Sequence, residues 1–271
     1  MTNKLSYWLL LMTALISLTI FIGGFVWGID RVLGSVESEP PPAKLDPAIT
    51  EQDSTFQIVT LGDSLTRGIG DSSGRGGYVG LIREELQRNQ SLENLQITNL
   101  AVSGATSTDL LEQIDERGVL RVISQADMIA MTIGGNDLFR GAGDLEEINE
   151  ANLDEVKRLF NKNLQEILTT IRAHNATAPI YLFGLYNPFA NLDNAEQTSQ
   201  YVVDWNHQTQ LTTLQFNDVV FVSTWDMFQG NLDHLLYTDH FHPNEEGYRM
   251  MAERLQILIN KRIELVEEGT K

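Results

Sequence analysis

A serine at position 64 follows directly on the apolar run Phe56–Leu61 (FQIVTL), within the string Gly62-Asp63-Ser64-Leu65-Thr66. A serine hydroxyl is a weak nucleophile until a base takes its proton, and that base needs a carboxylate to fix its tautomer and stabilise its cation. Far along the chain stands Asp239-His240-Phe241-His242-Pro243. The Asp-x-x-His spacing can set a carboxylate beside an imidazole within one local turn. His240 and His242 are two apart, so in an extended turn they point in opposite directions and only one can face Ser64. His242, three residues after Asp239 and directly before Pro243, is the expected base. His240 adjoins Asp239 too closely for its ring to reach that carboxylate. Attack on a carbonyl also demands donors aimed at the developing oxyanion. The N–H groups of Ser64 and Gly104 and the side-chain amide of Asn136, all just past apolar runs, are the expected donors.

These residues need elements to hold them. Short apolar, β-branched runs occur at Phe56–Leu61, Leu95–Val102, Asp127–Ile133, Pro179–Leu185 and Asp218–Val222. Helical stripes lie between them: Val79, Ile82 and Leu86; Leu110, Leu111 and Ile114; and the longest, Leu153, Val156, Phe160, Leu164, Ile167 and Ile171. A last helix is expected to open at Pro243 and run to about Ile263. Strands that are apolar on both faces and alternate with helices imply a parallel sheet covered on both sides. Ligands of such sheets bind outside the carboxyl ends of the strands. The strings found there are Gly62-Asp63-Ser64, Ser103-Gly104-Ala105-Thr106, Gly134-Gly135-Asn136-Asp137 and Tyr186-Asn187-Pro188.

Taken in order, four blocks resemble the SGNH, or GDSL, hydrolases: GDSLT around Ser64, NLAVSGAT around Gly104, GGND around Asn136, and DHFHP ending in His242. The resemblance covers roughly 180 residues and is closest to bacterial lipase/acylhydrolase-type members. It implies that Ser64 is the nucleophile, His242 the base and Asp239 the third member of a triad. Ser64 N–H, Gly104 N–H and Asn136 would form the oxyanion hole. It implies a three-layer α/β/α sandwich over residues 56–271, with a flavodoxin-like sheet of five parallel strands. The implied activity is carboxylic ester hydrolysis without a cofactor, acting on small-molecule, lipid or glycan esters. Deacetylation of cell-envelope glycans is the alternative on the same site, and a non-catalytic cell-surface binding protein on the same scaffold is the reading from another class.

Other readings of single residues compete. Ser64 could merely cap the helix after a strand, and Asp63 is expected to hold the turn by side-chain-to-backbone bonds. Gly70-Asp71-Ser72-Ser73-Gly74 also fits G-x-S-x-G, but that elbow requires a strand before and a helix after. Here Arg67-Gly68-Ile69 and Arg75-Gly76-Gly77 flank it, which reads as a loop. No metal site is expected: cysteine is absent, and of His174, His207, His234, His240 and His242 only the last two are close in sequence. His174 suits a helix C-terminus; His207 and His234 have no assigned role. The segments Leu138–Asn152 and Tyr186–Tyr201 are expected to flank the pocket.

Composition limits the partners. The chain has 271 residues with 19 Lys+Arg against 37 Asp+Glu, a net charge of −18. That balance repels a phosphate backbone, so nucleic acid is not an expected partner. With no cysteine, disulfides, a thiolate nucleophile and a lipidated N-terminal cysteine are excluded. No charge occurs between Lys4 and Asp30, leaving 25 uncharged residues, Leu5–Ile29. As a helix this run would span about 37 Å, enough to cross a hydrocarbon core of about 30 Å. Residues 1–4 are therefore expected to be a short cytoplasmic N-terminus, 5–29 a membrane anchor, and 30–55 a Pro- and acid-rich linker. Charges near the span place the catalytic domain outside, though the bias is small. The competing reading is a cleaved signal peptide and a secreted enzyme; against it, the apolar run exceeds the usual 7–15 residues and no small-x-small cleavage pattern follows.

Overall fold

A computed structural model describes residues 55–89, 94–141 and 150–269, together with Met12 and Ser17. The expected anchor over Leu5–Ile29 and its linker lie outside the described residues. Among the described residues no helix is long and apolar enough to cross a membrane. The chain divides into two units, Met1–Gln52 and Asp53–Lys271, and the second carries every described strand.

The five apolar runs are strands: β1 (Phe56–Gly62), β2 (Leu95–Asn99), β3 (Met128–Thr132), β4 (Ile180–Phe183) and β5 (Val219–Val222). All pair in parallel, in the order β2-β1-β3-β4-β5. Side chains alternate between two cores, as a period of two requires. Val59, Leu61, Ile129, Met131, Ile180 and Leu182 enter one, whereas Ile58, Met128, Ala130, Tyr181 and Phe183 enter the other. The flavodoxin-like α/β/α sandwich follows from that double burial.

Ten helices are described: α1 (Ser64–Arg67), α2 (Gly77–Asn89), α3 (Ser107–Ile114), α4 (Arg117–Ser124), α5 (Gly135–Gly141), α6 (Glu150–His174), α7 (Ala195–Thr213), α8 (Trp225–Phe228), α9 (Leu232–Leu235) and α10 (Glu245–Gly269). The first core is covered from α3 through α7, the second chiefly by α2 and α10. The sequence reading needs two corrections. The last helix starts at Glu245 rather than Pro243. Pro243 instead forms an antiparallel bridge with Leu236, and Asn244 is the cap, its Oδ1 accepting from the N–H of Glu246 and Gly247. The second is an omission, α7, which takes in the end of the segment Tyr186–Tyr201; Tyr186, Pro188 and Phe189 of that segment flank the pocket as expected. That helix buries Thr198, Val202, Trp205, Thr209 and Thr212. A face built mostly of threonine carries almost no apolar period, although the spacing is helical. Thr209 and Thr212 hydroxyls donate to the carbonyls four residues back, which satisfies them inside the core.

In this strand order the topological switch lies between β1 and β3, the place where such sheets open a crevice. Ser64 follows β1 and Asn136 follows β3. The two therefore meet at the carboxyl edge of adjacent strands.

Candidate active site

Asp63 is the N-cap of α1, so Ser64 is its first helical residue and not its cap. The Asp63 Oδ1 atom accepts from Leu65 N–H at 3.0 Å and from the Thr132 hydroxyl at 2.6 Å. A line of hydroxyls runs back from that carboxylate, with Thr132 Oγ1 2.8 Å from Thr66 Oγ1 and Thr66 Oγ1 2.8 Å from the Tyr78 hydroxyl. Asp63 is fully buried. That burial pushes its carboxyl up to about 6, against the opposing bonds from Thr132 and Leu65.

The loop carrying Asp239 and His242 is pinched at its base. Tyr237 N–H donates to His242 O at 2.8 Å and Asn244 N–H to Leu235 O at 2.8 Å. His240 takes a left-handed turn, φ 54°. Gly70, at φ +92°, packs under the loop, where an added Cβ would come 2.5 Å from Pro243 O and 3.0 Å from His242 Cβ. Only glycine fits both constraints. The Tyr186 hydroxyl donates to Phe241 O at 2.6 Å, tying the loop to the end of β4.

Within that frame His242 Nε2 lies 2.9 Å from Ser64 Oγ, and His242 Nδ1 lies 2.7 Å from Asp239 Oδ2. The other Asp239 oxygen accepts from the N–H of Phe241 and His242, both at 3.0 Å. Partial burial opposes ionisation of Asp239, but these bonds outweigh it and hold its carboxyl below the usual carboxylate range. Ser64 is 6% exposed and the His242 side chain 19% exposed. A serine, an imidazole and an ionised carboxylate thus stand in one hydrogen-bonded line, the arrangement that activates a hydroxyl. His240 is exposed, and its N–H donates to Tyr237 O.

The donors gather beside Ser64. Gly104 adopts φ +83°, a conformation that favours glycine, and lines the cleft together with Ser64 and Asn136. Asn136 Nδ2 donates to Ala105 O at 2.9 Å, which orients the amide and leaves its second N–H unused. Neither Ser64 N–H nor Gly104 N–H has an acceptor among the described residues. The Gly104 loop is fastened by side chains that no sequence pattern singles out. Asp137 accepts from Ser107 N–H at 2.9 Å and from its hydroxyl at 2.5 Å. Asn163 of α6 donates to the Ser107 and Thr108 hydroxyls, both at 3.0 Å. Arg140 Nη1 donates to Gly104 O at 3.1 Å. The only signal in the sequence is the position of Asp137 and Arg140 one and four residues beyond Asn136.

Two spaces open at Ser64. A cleft of about 560 Å³ is bounded by Ile69, Ser103, Gly104, Arg140, Phe189 and His242. A recess of about 20 Å³ lies towards Phe183, Leu185, Tyr186 and Pro188. Phe139 and Phe241 border both. Phe139 meets Phe189 and Phe241 edge-to-face, with centroids 5.1 and 5.8 Å away, and Phe189 and Phe241 lie tilted at 6.1 Å. Residues 142–149 of the expected flanking insert lie outside the described residues, but Phe139 at its start reaches the pocket. Ser72 stands in an exposed turn with no strand before it, organised by Asp71, whose carboxylate accepts from the N–H of Ser73, Gly76 and Gly77. His174 occupies the last turn of α6, its Nδ1 2.9 Å from Thr170 O. Among the described residues no group of three or more His, Asp or Glu side chains could hold a metal ion.

Comparison with known proteins gives concordant matches. The profile of the GDSL-like Lipase/Acylhydrolase family matches residues 60–250. The chain is 32% identical over 208 residues to YpmR of Bacillus subtilis, covering 75% of this chain and 81% of that one. It is 28% identical to the spore germination lipase LipC of Bacillus licheniformis, covering 74% and 95%. Among solved structures, the lipase Lip_vut3 from a goat rumen metagenome superposes with a TM-score of 0.68 at 27% identity, covering 75% and 97%.

Proposed function

Because the chain belongs to the GDSL-like Lipase/Acylhydrolase family, we propose that it hydrolyses carboxylic esters through an acyl-enzyme on Ser64. The observation that carries this reading is the line Ser64 Oγ–His242 Nε2–His242 Nδ1–Asp239 Oδ2, at 2.9 and 2.7 Å. His242 accepts the Ser64 proton as the hydroxyl oxygen bonds to the ester carbon. Asp239 stabilises the imidazolium so formed. The carbonyl oxygen takes up negative charge against Ser64 N–H, Gly104 N–H and the free N–H of Asn136. Collapse of the tetrahedral intermediate breaks the bond to the alcohol oxygen, which leaves with the proton from His242. A water, deprotonated by His242, then attacks the acyl-serine and the acid is released.

A second reading, removal of acetyl groups from cell-envelope glycans, draws support from the recess of about 20 Å³, which accommodates little more than one water-sized group. For location, the support is the uncharged run Leu5–Ile29; we place the enzyme on the membrane by that segment, with its catalytic domain outside. A binding protein on this scaffold has no need of an intact nucleophile, base and donor set.

A fluorophosphonate probe is expected to label Ser64 alone, and Ser64→Ala to lose both labelling and turnover. Peptide mapping of the adduct to Ser72 would overturn the assignment. A panel of esters from acetyl to long-chain acyl, with kcat/KM read for each, decides between the lipase and deacetylase readings.

A further inference from the structure

Among the described residues, the cleft over Ser64 has one permanent cation on its wall, Arg140. This arginine lies on the last turn of α5, exposed, four residues beyond Asn136. Of its five donors, one is directed to Gly104 O at 3.1 Å. The guanidinium lies against that glycine, since a Cβ built there would stand 3.0 Å from Nη2. No acid neutralises it among the described residues. The acid that feels its charge is Asp109, and that carboxyl is held low first by the Thr106 hydroxyl and N–H, with Arg140 a smaller influence. Both of those bonds go to Asp109 Oδ2, at 2.7 and 2.8 Å. Arg254 pairs with Asp226, Arg262 with Asp218, and Arg249 with Glu246 and Glu253; Arg140 is among the described arginines with no ion pair. Among the described residues its remaining donors have no partner, and the side chain lines the cleft over Ser64.

The chemistry decides which half of an ester meets it. His242 must deliver a proton to the departing alcohol oxygen, so the alcohol lies on the side of Ser64 that His242 borders. His242 and Arg140 line the open cleft and are absent from the walls of the small recess. The recess, walled by Phe183, Leu185, Tyr186 and Pro188, is the side left for the acyl group and takes little more than the carbon next to its carbonyl. We infer that Arg140 binds an anionic group, phosphate or carboxylate, carried on the alcohol part of the ester. A planar guanidinium matches either anion through two parallel N–H bonds. With a net charge of −18 the protein repels such substrates at long range, so a local cation is the device that would admit them. The inference rests on Ser64 acting as the nucleophile.

The test uses the full chain and three acetyl esters that share an acyl group and a primary alcohol: those of glycerol, glycerate and glycerol 3-phosphate. The wild type is expected to favour at least one charged ester over the glycerol ester in kcat/KM. In Arg140→Gln that preference should fall about tenfold, chiefly through KM, the loss of one charge-assisted contact. Arg140→Lys should retain part of it, because the charge stays and the fork is lost. Whichever charged ester loses more identifies the anion as phosphate or carboxylate. Equal losses on all three esters would show that Arg140 serves only the Gly104 loop, and would overturn the inference while leaving the hydrolase reading in place. No turnover of any ester, with fluorophosphonate leaving Ser64 unlabelled, would overturn both. Melting curves of the variants separate these outcomes from misfolding.

Discussion

Asn136 and Asp63 show how much one atom can decide. The Asn136 amide gives one N–H to Ala105 O, and its second has no partner among the described residues, in a side chain that lines the crevice. Asn136→Ala is expected to lower kcat by about 10²–10³, roughly 3–4 kcal/mol, while KM changes little, because the oxyanion exists only after attack. A change confined to KM would make Asn136 a ground-state contact. For Asp63 both incoming bonds end on the same oxygen, Oδ1, so Asn can accept both. Its folded carboxyl is raised from 3.8 to about 6 by burial. The folded state therefore holds the proton more tightly than the unfolded state, and this group's stabilisation is present below pH ~4 and lost as pH rises through ~6. A displacement of about two units corresponds to about 3 kcal/mol. Urea unfolding at pH 4 and pH 7 should show the wild type losing about that much relative to Asp63→Asn over the interval. Parallel pH profiles for the two proteins would show that Asp63 does not titrate there.

Among the elements, α7 is the one whose identity rests on a single large ring. Trp205 is 2% exposed and packs on Phe160 with centroids 4.4 Å apart. Trp205→Ala is expected to cost about 3–5 kcal/mol in urea unfolding. Thr209→Val should cost about 0.5–1.5 kcal/mol, the net worth of one hydrogen bond, since the lost hydroxyl bonds only to its own helix. A larger cost for Thr209→Val would mean that the hydroxyl has a partner beyond Trp205 O. The same helix marks where reading from sequence stopped. The strands are legible because apolar residues run together in β1, β3 and β4, buried on both faces. The threonine face of α7 was not legible, nor was the bridge that removes Pro243 from the last helix. Of the site, Ser64, Gly104, Asn136, Asp239 and His242 stood out because each follows an apolar run or forms a local pair. Asp137–Ser107, Asn163–Ser107 and Asp63–Thr132 join residues 30–69 positions apart. No local pattern announces such pairs; they exist only once the sheet order is known.

For the whole molecule, the division at Gln52 and Asp53 separates the α/β/α sandwich from the segment bearing the uncharged run. Protease added to intact cells is expected to cut between about Ser38 and Ser54, in a stretch rich in proline and acids, and to release a fragment with undiminished kcat. Recovery of the protein from the medium with a start near Val32 would show instead that the run is removed as a signal. The fragment should stay soluble without adhering to anionic lipid vesicles, as its acidic charge dictates.

The bond between Ser64 and His242 joins residues 178 positions apart, and its imidazole lies beyond β5, the final strand of the sheet. Ribosomes deliver a chain from its N-terminus, and closing so long a loop must wait for the strands that bring its ends together. On the proposed mechanism the hydroxyl is therefore made early and armed late. Throughout its own synthesis the polypeptide carries a serine with no base to reach it. A nascent or truncated chain ending before Asp239 is thus expected to be inert towards the esters around it, so the order of translation itself keeps an unfinished enzyme silent.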